Sequence, residues 1–191
     1  MFPAEQLTAA GGEIYCHLFE NEHTGLARNI HWSFTIDFHP ITHDGEELTC
    51  AMTCEWLTMP LRDWRDLAGQ SFDLKYGDGG SESSFYLWEH HCGTSTRMRV
   101  GARDGSRFDV EMEMLVDFSD DSADDSNPAM TVRGRAVLPF AGVIVVPENL
   151  SPKLVTPADV RSAVDRYLDT ALLREPELRG HAFGLDPLAG I

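Results

Sequence analysis

The sequence predicts a mainly β fold: an antiparallel sandwich or partly open barrel of about eight or nine strands with one C-terminal α-helix. Three observations predict it. Apolar and polar residues alternate with a period of two along most of residues 13–147. Short turn-forming stretches, "HDGE", "YGDGGSES", "ARDGSR" and "FAG", punctuate that alternation. One late stretch, "TPADVRSAVDRYLDTALLREP", switches to helical spacing. A chain of 191 residues suits one domain, 1–191, with a substantial core.

The strands follow in order. Residues 13–19 carry Ile14, Cys16 and Leu18 in one phase. In "NIHWSFTIDFH", Ile30, Trp32, Phe34, Ile36 and Phe38 share one face, and His31, Ser33, Thr35, Asp37 and His39 share the other. That is a half-buried antiparallel strand. "ELTCAMTCEW" turns Leu48, Cys50, Met52, Cys54 and Trp56 inward, and "RFDVEMEMLVDF" turns Phe108, Val110, Met112, Met114, Val116 and Phe118 inward. Further strands are expected at 71–76, 84–91, 94–102, 130–138 and 142–147. The segment 84–91 has apolar residues in both phases, so it reads as covered on both sides.

Two stretches break the alternation. "TMPLRDWRDLAG" reads as a short helix or ordered loop, opened by Pro60 and stopped by Gly69. The C-terminal helix is expected over about 157–174. Thr156 caps it, Pro157 opens it, and Asp159 sits where the helix dipole favours an anion. Its stripe of Val160, Ala163, Val164, Tyr167, Leu168, Ala171 and Leu172 should dock on the sheet. The tail, 177–191, carries Phe183, Leu185, Leu188 and Ile191 and should dock as well, either on this chain or in self-association.

Charge narrows the function classes. There are 31 Asp plus Glu against 15 Lys plus Arg, a formal net charge of -16. A nucleic-acid binder needs a basic footprint, and an anionic membrane repels an acidic surface, so neither partner is expected. A basic protein partner is favoured instead. "SDDSADDSNP", residues 119–128, is too polar to pack and reads as a mobile loop. Its Asp120, Asp121, Asp124 and Asp125 are the candidate partner-binding residues. The N-terminus has neither a basic start nor a long apolar run, so the chain reads as cytoplasmic with reduced thiols.

The row Asp109, Glu111, Glu113 and Asp117 invites a binding role, but Arg97, Arg99, Arg133 and Arg135 lie in phase to neutralise it. A three-residue loop ending at a left-handed Gly105, with a bulge, would set Arg99 opposite Asp109 and Arg97 opposite Glu111. The stripe is then a charge ladder on a solvated face.

Candidate chemistry centres on "WEHHCG", Trp88 to Gly93. His39, His43, His90 and His91, with Asp37 nearby, are the candidate metal ligands if their segments converge. Cys92 beside His91 is not a dyad by adjacency, because neighbouring strand side chains diverge. Cys50 and Cys54 lie roughly 13 Å apart along one strand and read as buried hydrophobes. There is no CxxC pair, nucleophile elbow or phosphate-cradling loop, and no cofactor is expected. The first functional expectation is therefore a non-enzymatic acidic binding protein, of inhibitor or immunity type, covering a basic surface. The second is a small-molecule binder or metal-dependent enzyme that uses the histidines. The third is a structural or assembly subunit that forms a homo-oligomer.

Overall fold

A computed structural model describes residues 4–43, 45–75, 80–118 and 129–190. Its centre is a closed barrel of seven strands. These are β1 (Ala9–Asn21), β2 (Leu26–Phe38), β5 (Cys50–Thr58), β7 (Glu82–Leu87), β8 (Glu89–Asp104), β9 (Arg107–Val116) and β10 (Met130–Val145). A small hairpin, β3 (Ile41–His43) and β4 (Glu46–Leu48), sits between β2 and β5. β6 (Ser71–Lys75) pairs with β8 beyond the end of β7. Six neighbour pairs around the barrel are antiparallel. An odd number of alternating strands leaves the first and last pointing the same way, so β1 and β10 close the barrel by parallel pairing. The expected antiparallel β architecture is thus a barrel, and it is closed.

Side chains fill the lumen. Trp32, Phe34, Ile36, Met52, Phe85, Met98, Val110, Met114, Val132 and Leu138 are all fully buried there. A narrow barrel of this strand count has room only for side chains. Gly134 makes the fit explicit: a Cβ there would lie 3.1 Å from Phe38 Cζ. Trp64, from the connection between β5 and β6, plugs one end. Its ring stacks on Phe140 at 5.1 Å and meets Phe108 edge-on at 6.1 Å. The "LRDWRDLAG" stretch is therefore an ordered loop with a short 3₁₀ turn, Trp64–Leu67, capped by the Asp63 carboxylate.

Several boundaries differ from the sequence expectation. Strand 84–91 does not continue through Trp88, because the chain reverses there to make β7 and β8 a hairpin. Strands 130–138 and 142–147 are one strand, β10. The "FAG" signal is a bulge: the register skips between Ile14/Phe140 and Tyr15/Gly142, which turns Val143 and Val145 inward after Phe140. Gly142 has φ 110, and a Cβ there would lie 2.2 Å from the Leu185 carbonyl oxygen. Only glycine lets β10 be gripped by neighbours on both edges at that point.

The β8–β9 loop also differs. Asp104 pairs with Arg107, so the loop has two residues, Gly105 and Ser106, not three. The missing offset is supplied by a bulge between Val100 and Arg103. Arg99 therefore faces Glu111 and Arg97 faces Glu113, with Arg133 and Arg135 on the far side of the same acids. The ladder forms as ion pairs: Arg133–Glu113 at 2.6 Å, Arg135–Asp109 at 2.7 Å and Arg97–Asp73 at 3.0 Å. Gly105 is left-handed, φ 56, as expected.

The helix α1 is Pro157–Val164, half the expected length. Its capping box is present, with Thr156 and Asp159 bonded reciprocally. It stops because the Asp165 carboxylate accepts from both the Thr170 backbone and hydroxyl, and Arg62 binds the Asp165 and Arg166 carbonyls. The tail docks on its own barrel. β11 (Glu177–Arg179) pairs with β12 (Ala182–Leu185), and β12 extends the sheet beside β10 with Phe183 and Leu185 buried. Arg179 clamps Asp186 at 2.6 Å and holds its carboxyl below the usual range. No helix among the described residues is long and apolar enough to cross a membrane.

Two outcomes follow. Phe140→Ala should lower unfolding stability by about 3–5 kcal/mol, whereas Val137→Ala, exposed on the same strand, should change it by less than about 0.5 kcal/mol. Urea denaturation that gives equal losses would refute the filled lumen. The Asp186 contribution is present above the ordinary carboxylate value of about 3.9 and is lost as pH falls through the lowered native value. Asp186→Asn should therefore destabilise at neutral pH, and the deficit should shrink as pH falls through the lowered native value. A stability deficit independent of pH would contradict the charge clamp.

Candidate functional site

The histidine candidates do not form one cluster. His91 points inward and is buried, its Nε2 donating to the Leu87 carbonyl at 3.2 Å and its ring 4.7 Å from Phe118. His90 points outward, with Nδ1 3.1 Å from Ser84 Oγ and its ring edge on Tyr86. Adjacent strand residues diverge, so one metal cannot take both. His39 is exposed just beyond β2, and its backbone amide donates to Thr8. His43 ends β3, and its side chain lies outside the described residues. Among the described residues, no three His, Cys, Asp or Glu side chains gather in a metal-binding group. Asp120, Asp121, Asp124 and Asp125 also lie outside the described residues.

Three thiols are structural. Cys16, Cys50 and Cys54 are buried, and burial pushes Cys50 to about 11 and Cys54 to about 12, with Cys16 raised as well. Such thiols stay protonated and unreactive at neutral pH. Cys92 is exposed. It borders a cavity of about 520 Å³ on the outer wall with Glu55, Glu82, Ser83, Ser84 and His90. Ser84 Oγ lies 2.8 Å from Thr53 Oγ1 as well as bonding His90. No described carboxylate bonds the His90 ring, so the pair lacks the orienting third group of a hydrolytic triad. The cavity offers polar recognition, not an evident nucleophile.

A second group, missed from sequence, lies on the same wall. His17 of β1 is directly opposite His31 of β2. β5 bulges beside them: Glu55 and Trp56 together face Ser33, and Trp56 takes φ 61. A bulky residue in that region is strained, and such residues collect at functional positions. The Trp56 ring spans both imidazoles, stacked on His17 at 6.0 Å and edge-on to His31 at 5.8 Å. His31 is 2% exposed, yet neither ring nitrogen has a hydrogen-bond partner. Burial lowers its pKa, and the Trp56 backbone opposes this in part. Burial, then repulsion from His31, lowers that of His17. The Tyr15 hydroxyl reaches Glu55 Oε1 at 3.4 Å, and burial and that carboxylate raise the phenol.

The third feature is one end of the barrel. β1, β5, β8 and β10 start there, and β2, β7 and β9 finish there. Trp88 makes the β7–β8 tip, with φ 61 and 60% of its surface exposed. Glu89 follows it directly, and Asp37 near the end of β2 and Glu46 and Glu47 of β4 are exposed as well. Residues 29–43, 45–61 and 80–96, which carry β2, β5 and the β7–β8 hairpin through this end, contain no Lys or Arg. Only β6, which runs toward the same end, finishes on a cation, Lys75.

Ellman labelling of the native protein should titrate one thiol, Cys92, and labelling in guanidinium should titrate all four. More than one fast-reacting thiol in the native state would contradict the buried placement of Cys16, Cys50 and Cys54. Compared with protein-family models, with curated proteins and with solved structures, the chain matches none.

Proposed function

We propose that this is a non-enzymatic binding protein whose acidic barrel end covers a basic surface of another protein, in the manner of an inhibitor or immunity-type protein. The observation that carries the reading is Trp88, held out at the tip of a hairpin with φ 61 and 60% of its surface exposed, next to the exposed Glu89. A large exposed aromatic at the centre of a patch is the commonest kind of energetic anchor in an interface. Surrounding charge of one sign steers a partner of opposite sign and selects against others.

The contrast with the barrel wall supports the choice of surface. Along β8, β9 and β10 the acids Asp109, Glu111 and Glu113 are matched by Arg97, Arg133 and Arg135. That stripe has little charge left to offer a partner. Among the described residues, Glu46, Glu47 and Glu89 form no ion pair with a cation. On this reading Asp120, Asp121, Asp124 and Asp125, outside the described residues, remain candidate partner contacts on the ground of their charge. Among the described residues the lumen is filled by buried side chains, as expected of a barrel of this narrow strand count.

The test compares affinity capture from the source lysate by wild type, Trp88→Ala and a Glu46→Lys/Glu47→Lys/Glu89→Lys variant. A basic protein should be retained by wild type, more weakly at higher salt, and lose affinity roughly tenfold or more with either variant. Identical recovery by all three proteins would refute the reading.

A further inference from the structure

We propose that His17 and His31 form a two-imidazole binding site for a divalent transition metal of the Zn²⁺, Ni²⁺ or Cu²⁺ type, on the outer wall of the barrel beneath Trp56. The site is far in sequence and element from the Trp88 end, and it does not depend on the binding reading above. Directly opposite residues of an antiparallel pair carry Cβ atoms about 4.5–5.5 Å apart on one face. Two imidazoles rooted at that spacing can swing to a shared ion at about 2.0–2.1 Å from each nitrogen. Imidazole nitrogen is the preferred donor for these ions.

The second, independent observation is His31 itself. A buried imidazole with both nitrogens unpartnered is costly, because each lost its hydration without replacement. An ion bound at one nitrogen supplies a partner where the fold supplies none. The nearby Glu55 carboxylate, positioned by Tyr15, provides countercharge for a dication in a half-buried wall. It is not counted as a ligand, since among the described residues no group of three His, Cys, Asp or Glu forms. Two protein ligands leave positions for water, which suits exchangeable binding more than a structural site. Trp56 covers both rings and sits on a bulge, so it can yield without breaking the flanking ladder.

Trp56 also provides the readout. Ni²⁺ titrated into the full chain should quench a saturable fraction of the tryptophan fluorescence. EDTA should reverse the quenching, and Zn²⁺ should compete with it. Equilibrium dialysis should give one Ni²⁺ per chain. Trp56→Phe should retain that ion but lose the quenching. His17→Gln and His31→Gln should each move the Ni²⁺ midpoint at least about tenfold higher, while His90→Gln should leave it unchanged. His17 is only half-buried, so its variant keeps the test available if His31→Gln misfolds. Equal midpoints for wild type and His17→Gln, or undiminished quenching in Trp56→Phe, would overturn the proposal.

Discussion

Where β10 meets β1, two strands run in the same direction in a barrel that is otherwise antiparallel. That seam follows from parity, and the rest of the structure is arranged around it. A parallel seam cannot be made by a tight turn, so the two strands must come from opposite ends of the chain. The first strand of the barrel waits for the last. Gly142 lets the backbone of β10 pass close to β12, and the bulge at Ala141 resets which residues face inward. β12 then lies against β10 beyond the seam, and the tail hairpin reinforces the place where the barrel closes.

Bulges decide which residues face the lumen at several points around the barrel. At Gly101–Ala102 a bulge keeps Arg97 and Arg99 outward against the acids of β9, even though the hairpin loop has an even number of residues. At Glu55–Trp56 a bulge swings an indole over two histidines. At Ala141 it returns Val143 and Val145 to the core. Burial of the lumen is the large term, and the backbone deforms locally to preserve it.

Much of this was legible in the sequence, because strand phase is a local property. The inward residues of β2 and β9, those of β5 as far as Cys54, and the arginine–acid ladder follow from alternation alone. Trp56, expected inward, is turned to the outer wall by the bulge, and Leu57 is buried in its place. What was not legible depended on partners distant in the chain. The "FAG" triplet looks like a turn, and only pairing to both β1 and β12 makes it a bulge. The helix periodicity runs on past Val164, but Asp165 and Arg62 divert the backbone. "WEHHCG" reads as a strand end, whereas its Trp88 is a hairpin tip. The His17–His31 pair needed the register of the β1–β2 hairpin, which Asn21 and the left-handed Gly25 fix. Those two turn residues were the available signal.

The uneven placement of cations gives the barrel a long-range polarity along its axis. Arg62 and Arg107 sit toward the end plugged by Trp64, while the Trp88 end gathers acids. Two copies meeting by their Trp88 ends repel. Two copies meeting head to tail do not, and a head-to-tail contact has no rotational closure of its own. Any self-association driven by this field would grow as a row and not pair off as a dimer. The surface that suits a foreign cationic partner is thus poorly suited to a symmetric partner of its own kind.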